Sequence, residues 1–249
     1  MSVLAGIHAI KHAFEAGQAI NELLIEKGKR HPRLNELIHL AKKAGVQVSF
    51  APREVLQRLA QGVPHQGAVA ECPATADAVV GALSFEDWLK TLDMETKPLV
   101  LLLDQVTDPH NLGACARTAE AAGCAALLLP KDNAADLRSP VASKAACGAL
   151  SRLPVYRVAN LSRTIEKLQD KGFWTVGMAG EADASIYETA LDGSLAVVMG
   201  SEGKGIRRLV RENCDQLIKI PMPGSVESLN VSVATGVTLF EISRQRSAQ

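Results

Sequence analysis

From Pro98 to Met222, short apolar runs and amphipathic segments alternate with little chain between them. The runs are PLVLLLDQV (98–106), CAALLLP (124–130), LPVYRVA (153–159), FWTVGMAG (173–180), LAVVMG (195–200) and QLIKIPM (216–222). LVLLL has no polar alternation, as expected of a strand buried on both faces. Between the runs lie NLGACARTAEAAG, SPVASKAACGAL, NLSRTIEKLQDKG and RRLVREN, and VSVATGVTLFEISRQR closes the series. Strands alternating with helices predict a parallel sheet covered on both faces. The fold class is therefore α/β.

A smaller α/β unit is expected before it, over residues 1–73. Residues 5–16 have helical spacing (Ile7, Ile10, Phe14), and NELLIEKG reads as a strand. PRLNELIHLAKKAG is an amphipathic helix stopped by Gly45, followed by strand VQVSF, helix PREVLQRLA and strand GAVAEC. The pattern weakens over residues 74–97, which read as a linker with one acidic helical piece, FEDWLKTLDMETK. The regular domain is then 98–249.

Composition narrows the function classes. Hydrophobic residues make up 47% of 249 and charged residues 22%, enough for a sizeable core. Lys+Arg and Asp+Glu are both 27, so net charge announces no nucleic acid. Residues 1–73 nevertheless hold nine basic against six acidic residues, and five of the six histidines. Five cysteines form no CxxC, so neither a metal site nor a disulfide framework is expected. The longest apolar run is too short to cross a bilayer, and the N-terminus lacks a signal-peptide pattern. Cytoplasmic residence with reduced thiols is the expectation.

In parallel sheets, ligands bind outside the carboxyl ends of the strands. Three loops fall there: TDPHNLGACART (107–118), MGSEGKGIRR (199–208) and PMPGSVESLN (221–230). The second is neither GxGxxG nor a P-loop. Its glycines let a ligand press on backbone, and a plain surface turn would not explain Glu202 between them. In the first loop, Asp108-Pro109 sets a turn and Asn111 can cap the next helix. Arg117, among small neighbours, is either an anion clamp or a surface residue with a snorkelling stem. In the third, Ser228 and Asn230 stand at an expected helix N-terminus, where free N–H groups favour an anionic or carbonyl ligand. Ser232, Ala234 and Gly236 are small enough for close backbone approach.

DPHNLGACARTAEAAG, VMGSEGKGIRRL and IPMPGSVESLNVSVATGV, in that order, resemble the three motifs of the SpoU (TrmH-type) family of RNA ribose 2′-O-methyltransferases, in the SPOUT superfamily. The N-terminal unit, from GIHAI to HQGAVAE, resembles that family's RNA substrate-binding domain, an L30-like α/β fold. The resemblance implies a C-terminal trefoil knot and a homodimer whose active sites use residues of both subunits. It implies S-adenosyl-L-methionine as cofactor, lined by Gly200, Ile220 and Leu229, with no metal and no membrane. It assigns catalysis to Asn111, Arg117, Glu202, Ser228 and Asn230. Arg117 would align a ribose hydroxyl and a phosphate, with Glu202 orienting Arg117 or favouring the sulfonium. The implied substrate is a guanosine ribose in the peptidyl-transferase region of 23S rRNA, free or in a pre-ribosomal particle. The alternatives are another rRNA or tRNA nucleotide, or a non-catalytic assembly factor. Ala5, where the family has an aromatic, and Glu227, where a small polar residue is expected, depart from the pattern.

Overall fold

The structure, a computed structural model, describes residues 2–15, 19–60, 62–72 and 83–247. The N-terminal unit runs β1 (Ser2–Ala5), α1 (Ile7–Glu15), β2 (Glu22–Glu26), α2 (Pro32–Lys43), β3 (Gln47–Ala51), α3 (Arg53–Leu59) and β4 (Ala68–Cys72). Its sheet order is β1-β4-β2-β3. β4 is antiparallel to both neighbours, while β2 and β3 run parallel. Ile10, Leu23, Ile25, Leu34 and Leu37 form the core under α1 and α2, and Leu24, Leu56 and Val69 the core under α3. Strand β1 escapes the sequence pattern. Four residues ending at Gly6 are too few to show a period.

The C-terminal series is α4 (Phe85–Thr91), β5 (Leu99–Leu103), α5 (Pro109–Ala121), β6 (Ala126–Pro130), α6 (Pro140–Ala146), β7 (Val155–Val158), α7 (Leu161–Lys171), β8 (Trp174–Met178), β9 (Ala184–Ser185), β10 (Leu195–Met199), α8 (Arg208–Glu212), β11 (Gln216–Lys219) and α9 (Val231–Ser247). All seven strands are parallel, in the order β7-β6-β5-β10-β8-β11-β9. Strand β9, with two residues, was not legible in the sequence.

Strand β5 shows why its run is unbroken. Leu99, Leu101 and Leu103 enter the core shared with α5, α6 and α9. Val100 and Leu102 enter the opposite core, with α4, α7 and α8. Alternate side chains leave opposite faces of a strand, so both sets must be apolar. The helical piece expected in the linker is α4, capped by Ser84, whose hydroxyl accepts from Asp87 N. It is built into the second core, where the Trp88 and Tyr156 rings lie 5.1 Å apart. The earlier part of that expected linker, 74–82, lies outside the described residues. Helices α5 and α6 touch through Gly113, where a Cβ would lie 2.3 Å from Ala142 O. The close approach expected at Gly236 is not made among the described residues, where a Cβ would meet nothing within 4 Å.

Candidate active site

The carboxyl ends of β5 and β10 are tied together by one buried carboxylate. Asp104 follows LVLLL, has no exposed surface and is paired with Arg207, which is partly exposed. Arg207 N donates to Asp104 Oδ2 and Arg207 Nε to Oδ1, each at 2.8 Å. Asp104 N donates to Met199 O at 2.8 Å. This fixes both ends of the Gly-rich loop 200–206. Sequence reading passed over Asp104. The available signal was a lone acid directly after five apolar residues.

Gly200 has a role of its own in that loop. A Cβ there would lie 2.1 Å from the Gly205 carbonyl carbon and 2.3 Å from Ile206 N. Ser201 and Gly205 also exchange backbone hydrogen bonds of 3.1 and 2.9 Å. The loop folds back on itself so tightly that only glycine fits, and Glu202 is held at its tip.

Asn111 does not cap α5 as the sequence suggested. Asp108 does, accepting from His110 N at 3.2 Å and Asn111 N at 3.3 Å. The Asn111 amide is left free for longer contacts. Its Nδ2 donates to Glu202 Oε1 at 3.0 Å. Asn230 Nδ2 donates to Asn111 Oδ1 at 3.0 Å and also to Glu202 Oε1. Val231 N donates to the same Glu202 oxygen at 3.4 Å. Asn230 Oδ1 accepts from Ser232 N at 2.9 Å, which makes Asn230 the N-cap of α9. One carboxylate thus draws together all three loops, and its charge sits at the positive end of α9.

Beside this cluster lies a cleft of about 310 Å³, lined by Gln105, Thr107, Asp108, Asn111, Glu202 and Lys204 among others. That is the lower range for a small-ligand site. Next to it, the parallel strands β10, β8 and β11 end side by side. Gly200, Ile220 and the half-buried Met178 sit at those ends. The third loop lies over them: a Cβ on Gly180 would be 3.9 Å from Glu227 O. Half-buried Leu229 belongs to this loop. Backbone polar groups and apolar side chains here suit a flat, uncharged ring system. No group of three metal-binding side chains occurs among the described residues.

Two candidate residues stand apart. Ser228 is exposed and outside the hydrogen-bonded cluster. Arg117 is also exposed, and its Nη1 donates to Cys147 Sγ at 3.4 Å. Six helical residues advance about 9 Å and turn well past half a circle, so Arg117 cannot share Asn111's face of α5. Glu202 is engaged by Asn111, Asn230 and Val231, and does not orient Arg117 in this chain. Behind the cluster, burial pushes the Cys115 thiol up to about 11, opposed by its Thr235 hydrogen bond and aided by the Glu202 charge. It stays a protonated thiol at neutral pH and is no nucleophile.

Comparison with known proteins places the chain. Residues 98–240 match the model of the SpoU rRNA Methylase family, and residues 3–77 match a model for RNA 2′-O ribose methyltransferase substrate binding. The chain is 50% identical over 245 residues to the 23S rRNA (guanosine-2′-O-)-methyltransferase RlmB of Pseudomonas putida, covering 98% of this chain and 96% of that one. It is 48% identical over 246 residues to the RlmB of Escherichia coli, covering 98% and 99%. Among solved structures, the SpoU methyltransferase AviRb from Streptomyces viridochromogenes superposes with a TM-score of 0.80 at 25% identity, covering 99% of this chain and 90% of that chain. AviRb in complex with the cofactor AdoMet gives the same TM-score at 24% identity, covering 99% and 91%.

Proposed function

The chain belongs to the SpoU rRNA methylase family, and from that premise we propose that it transfers a methyl group from S-adenosyl-L-methionine to the 2′-hydroxyl of a guanosine ribose in 23S rRNA. The observation that carries the reading is the gathering of Asn111, Asn230 and the first N–H of α9 on Glu202, at the carboxyl ends of the sheet. Gly200, Ile220 and Leu229 would hold the cofactor, chiefly through backbone groups. When bound, it supplies a sulfonium-activated methyl group.

The chain's own residues do the rest by position. Glu202 fixes the two asparagine amides and would favour a bound sulfonium by its charge. Asn111 and Asn230 hold the ribose side of the cleft, with Ser228 contributing a hydroxyl at its mouth. Arg117 aligns the 2′-hydroxyl and a neighbouring phosphate. A guanidinium is a poor base, so its part is orientation and charge. Fixing two reactants in line can supply several kcal/mol, on the order of 7–11 for the best intramolecular cases. The C-terminal segment that brings α9 to the cluster is the part that the family reading threads as a knot.

The reading includes a homodimer in the cytoplasm. Val233 and Phe240 are each more than half exposed on α9, with the open Gly236 between them on the same face. A second copy of this chain is the natural cover for that apolar stripe. Dimerisation would also let the outward-facing Arg117 serve the partner subunit's cluster. The test is site mapping of 2′-O-methyl groups on 23S rRNA from cells with and without the protein. One guanosine should lose its methyl group in the deletion strain and regain it when purified protein and S-adenosyl-L-methionine are added to that rRNA. An unchanged methylation map would overturn the reading.

A further inference from the structure

The N-terminal sheet is electrically lopsided. Strands β2 and β3 run parallel with Glu26 opposite Ala51, and Lys27 N donates to Ala51 O at 2.9 Å. The chain leaving β2 and the chain leaving β3 therefore emerge side by side. The first carries Lys27, Lys29, Arg30 and Arg33, and the second carries Arg53, all exposed. These are five of the nine Lys and Arg residues in residues 1–73. Lys29 is partly answered by Glu26 at 3.3 Å. Lys27, Arg30, Arg33 and Arg53 form no ion pair among the described residues. At the opposite end of the sheet the sign reverses, where Glu22 lies in register with Glu71.

Convergence of these cations has an internal witness. His65 is buried, and its Nδ1 accepts from Gly67 N at 3.1 Å. Burial holds its pKa below the usual imidazole value, and the charges of Lys29 and Arg53 push it the same way against Glu26. Both cations thus act on one ring, Lys29 from the loop after β2 and Arg53 from the start of α3.

An aromatic ring stands at the same end. Phe50 is 61% exposed on β3, the edge strand. It lies in register with Ile25, whose side chain packs in the core with Leu34 and Leu37 of α2. Residues in register share a face, so Phe50 projects on the α2 side, one residue before the strand ends. Burying Phe50 would be the ordinary use of such a residue. Its exposure beside a row of unpaired cations fits a ligand that is both polyanionic and aromatic. RNA is that ligand, and a base can stack on a protein ring only when it is not already stacked within a duplex.

We infer that this end of the N-terminal sheet grips an unpaired segment of the substrate RNA, with phosphates on Lys27, Lys29, Arg30, Arg33 and Arg53 and a splayed base on Phe50. The inference rests on the proposed function for its choice of substrate. Within the substrate-binding unit, it assigns the contact to one end of one sheet and to an unpaired rather than a duplex segment.

Fluorescence anisotropy of the full-length protein tests it, with two labelled probes: an RNA hairpin bearing an unpaired loop, and a fully paired RNA duplex of equal length. Phe50→Ala should weaken loop binding roughly tenfold, the effect of losing one base stack, and leave duplex binding unchanged. Phe50→Tyr should restore it. Reversing Lys29, Arg30 and Arg53 to Glu should weaken both probes. It should also flatten the dependence of log affinity on log salt by about 0.7 for each lost single-strand phosphate contact. All variants should melt as the wild type does, since every altered side chain is exposed. Wild-type loop binding by Phe50→Ala, or an unchanged salt slope in the triple variant, would overturn the inference. If the wild type binds the loop probe but methylates no rRNA, the proposed function falls and this surface stands. If it methylates rRNA while the variants bind normally, the reverse holds.

Discussion

Asn111 and Arg117 lie on one helix, less than two turns apart, and live in different worlds. Asn111 is buried, with its amide nitrogen and oxygen both committed to partners from the second and third loops. Arg117 is exposed, and its Nη1 donates one long bond to the Cys147 thiol. The first end of α5 is finished within the chain. The second end is bonded to neither of the other two loops. On the proposed function, that contrast would separate a pre-assembled part of the site, which would hold cofactor and fix geometry, from a reaching part, which RNA and a second copy of the chain would complete. The two parts should fail in different ways.

The largest effect is expected at the reaching part. Arg117→Lys keeps the charge and loses the planar fork that can hold a phosphate and a hydroxyl together. Single-turnover methyl transfer at saturating cofactor should slow by roughly 10²-fold or more, comparable to the loss of one preorganised donor. Arg117→Ala should be slower still. Cofactor affinity from calorimetry and the melting temperature should stay at wild-type values, because nothing buried is disturbed. A Lys variant that transfers methyl groups at the wild-type rate would make Arg117 an ordinary surface residue and remove the contrast.

The pre-assembled part should show the opposite signature. Asn230 caps α9 and bonds both Asn111 and Glu202. Asn230→Ala removes the cap, worth about 1 kcal/mol, and leaves Glu202 with one fewer donor. The melting temperature should fall by about 2–4 °C per kcal/mol for a protein of this size. Cofactor affinity should fall with it. An unchanged melting curve would mean that the cluster is not the fastener it is taken to be.

How far each part was legible in the sequence follows from the same physics. The parallel α/β domain was readable because a strand buried on both faces must be apolar at every position, and LVLLL, ALLLP and LAVVM are. The three loops were readable because they sit at strand ends with small and polar residues in apolar surroundings. The bonding within them was not. Asp108 took the cap that Asn111 could equally have taken, and only the fold decides between two capping residues three positions apart. Asp104 was hidden because a buried ion pair has no local pattern: its partner lies 103 residues away. The close approach expected at Gly236 is not made among the described residues. The close approach that the fold does make is Gly113 against α6. The alignment of Arg117 with the other candidates follows from resemblance to the family, and within this chain α5 turns it away from them.

The smallest expected effect tests the bond that does hold Arg117. Cys147 is exposed, adopts φ 48° at the end of α6, and accepts from Arg117 Nη1. A thiol is a weak acceptor, so this bond belongs at the low end of the roughly 0.5–1.5 kcal/mol net that a hydrogen bond contributes. If the contact only parks the guanidinium, Cys147→Ala should change single-turnover transfer by no more than a few-fold. The KM for RNA should move as little, and cofactor binding not at all. Alanine keeps the backbone requirement of the turn about as cysteine does, so stability should stay close to wild type. A loss as deep as that of Arg117→Lys would mean something else. Cys147 would then be holding the guanidinium in its working orientation, and the outer end of α5 would be as pre-assembled as the inner one. Measured side by side in one single-turnover experiment, the two variants decide whether Arg117 is parked or aimed.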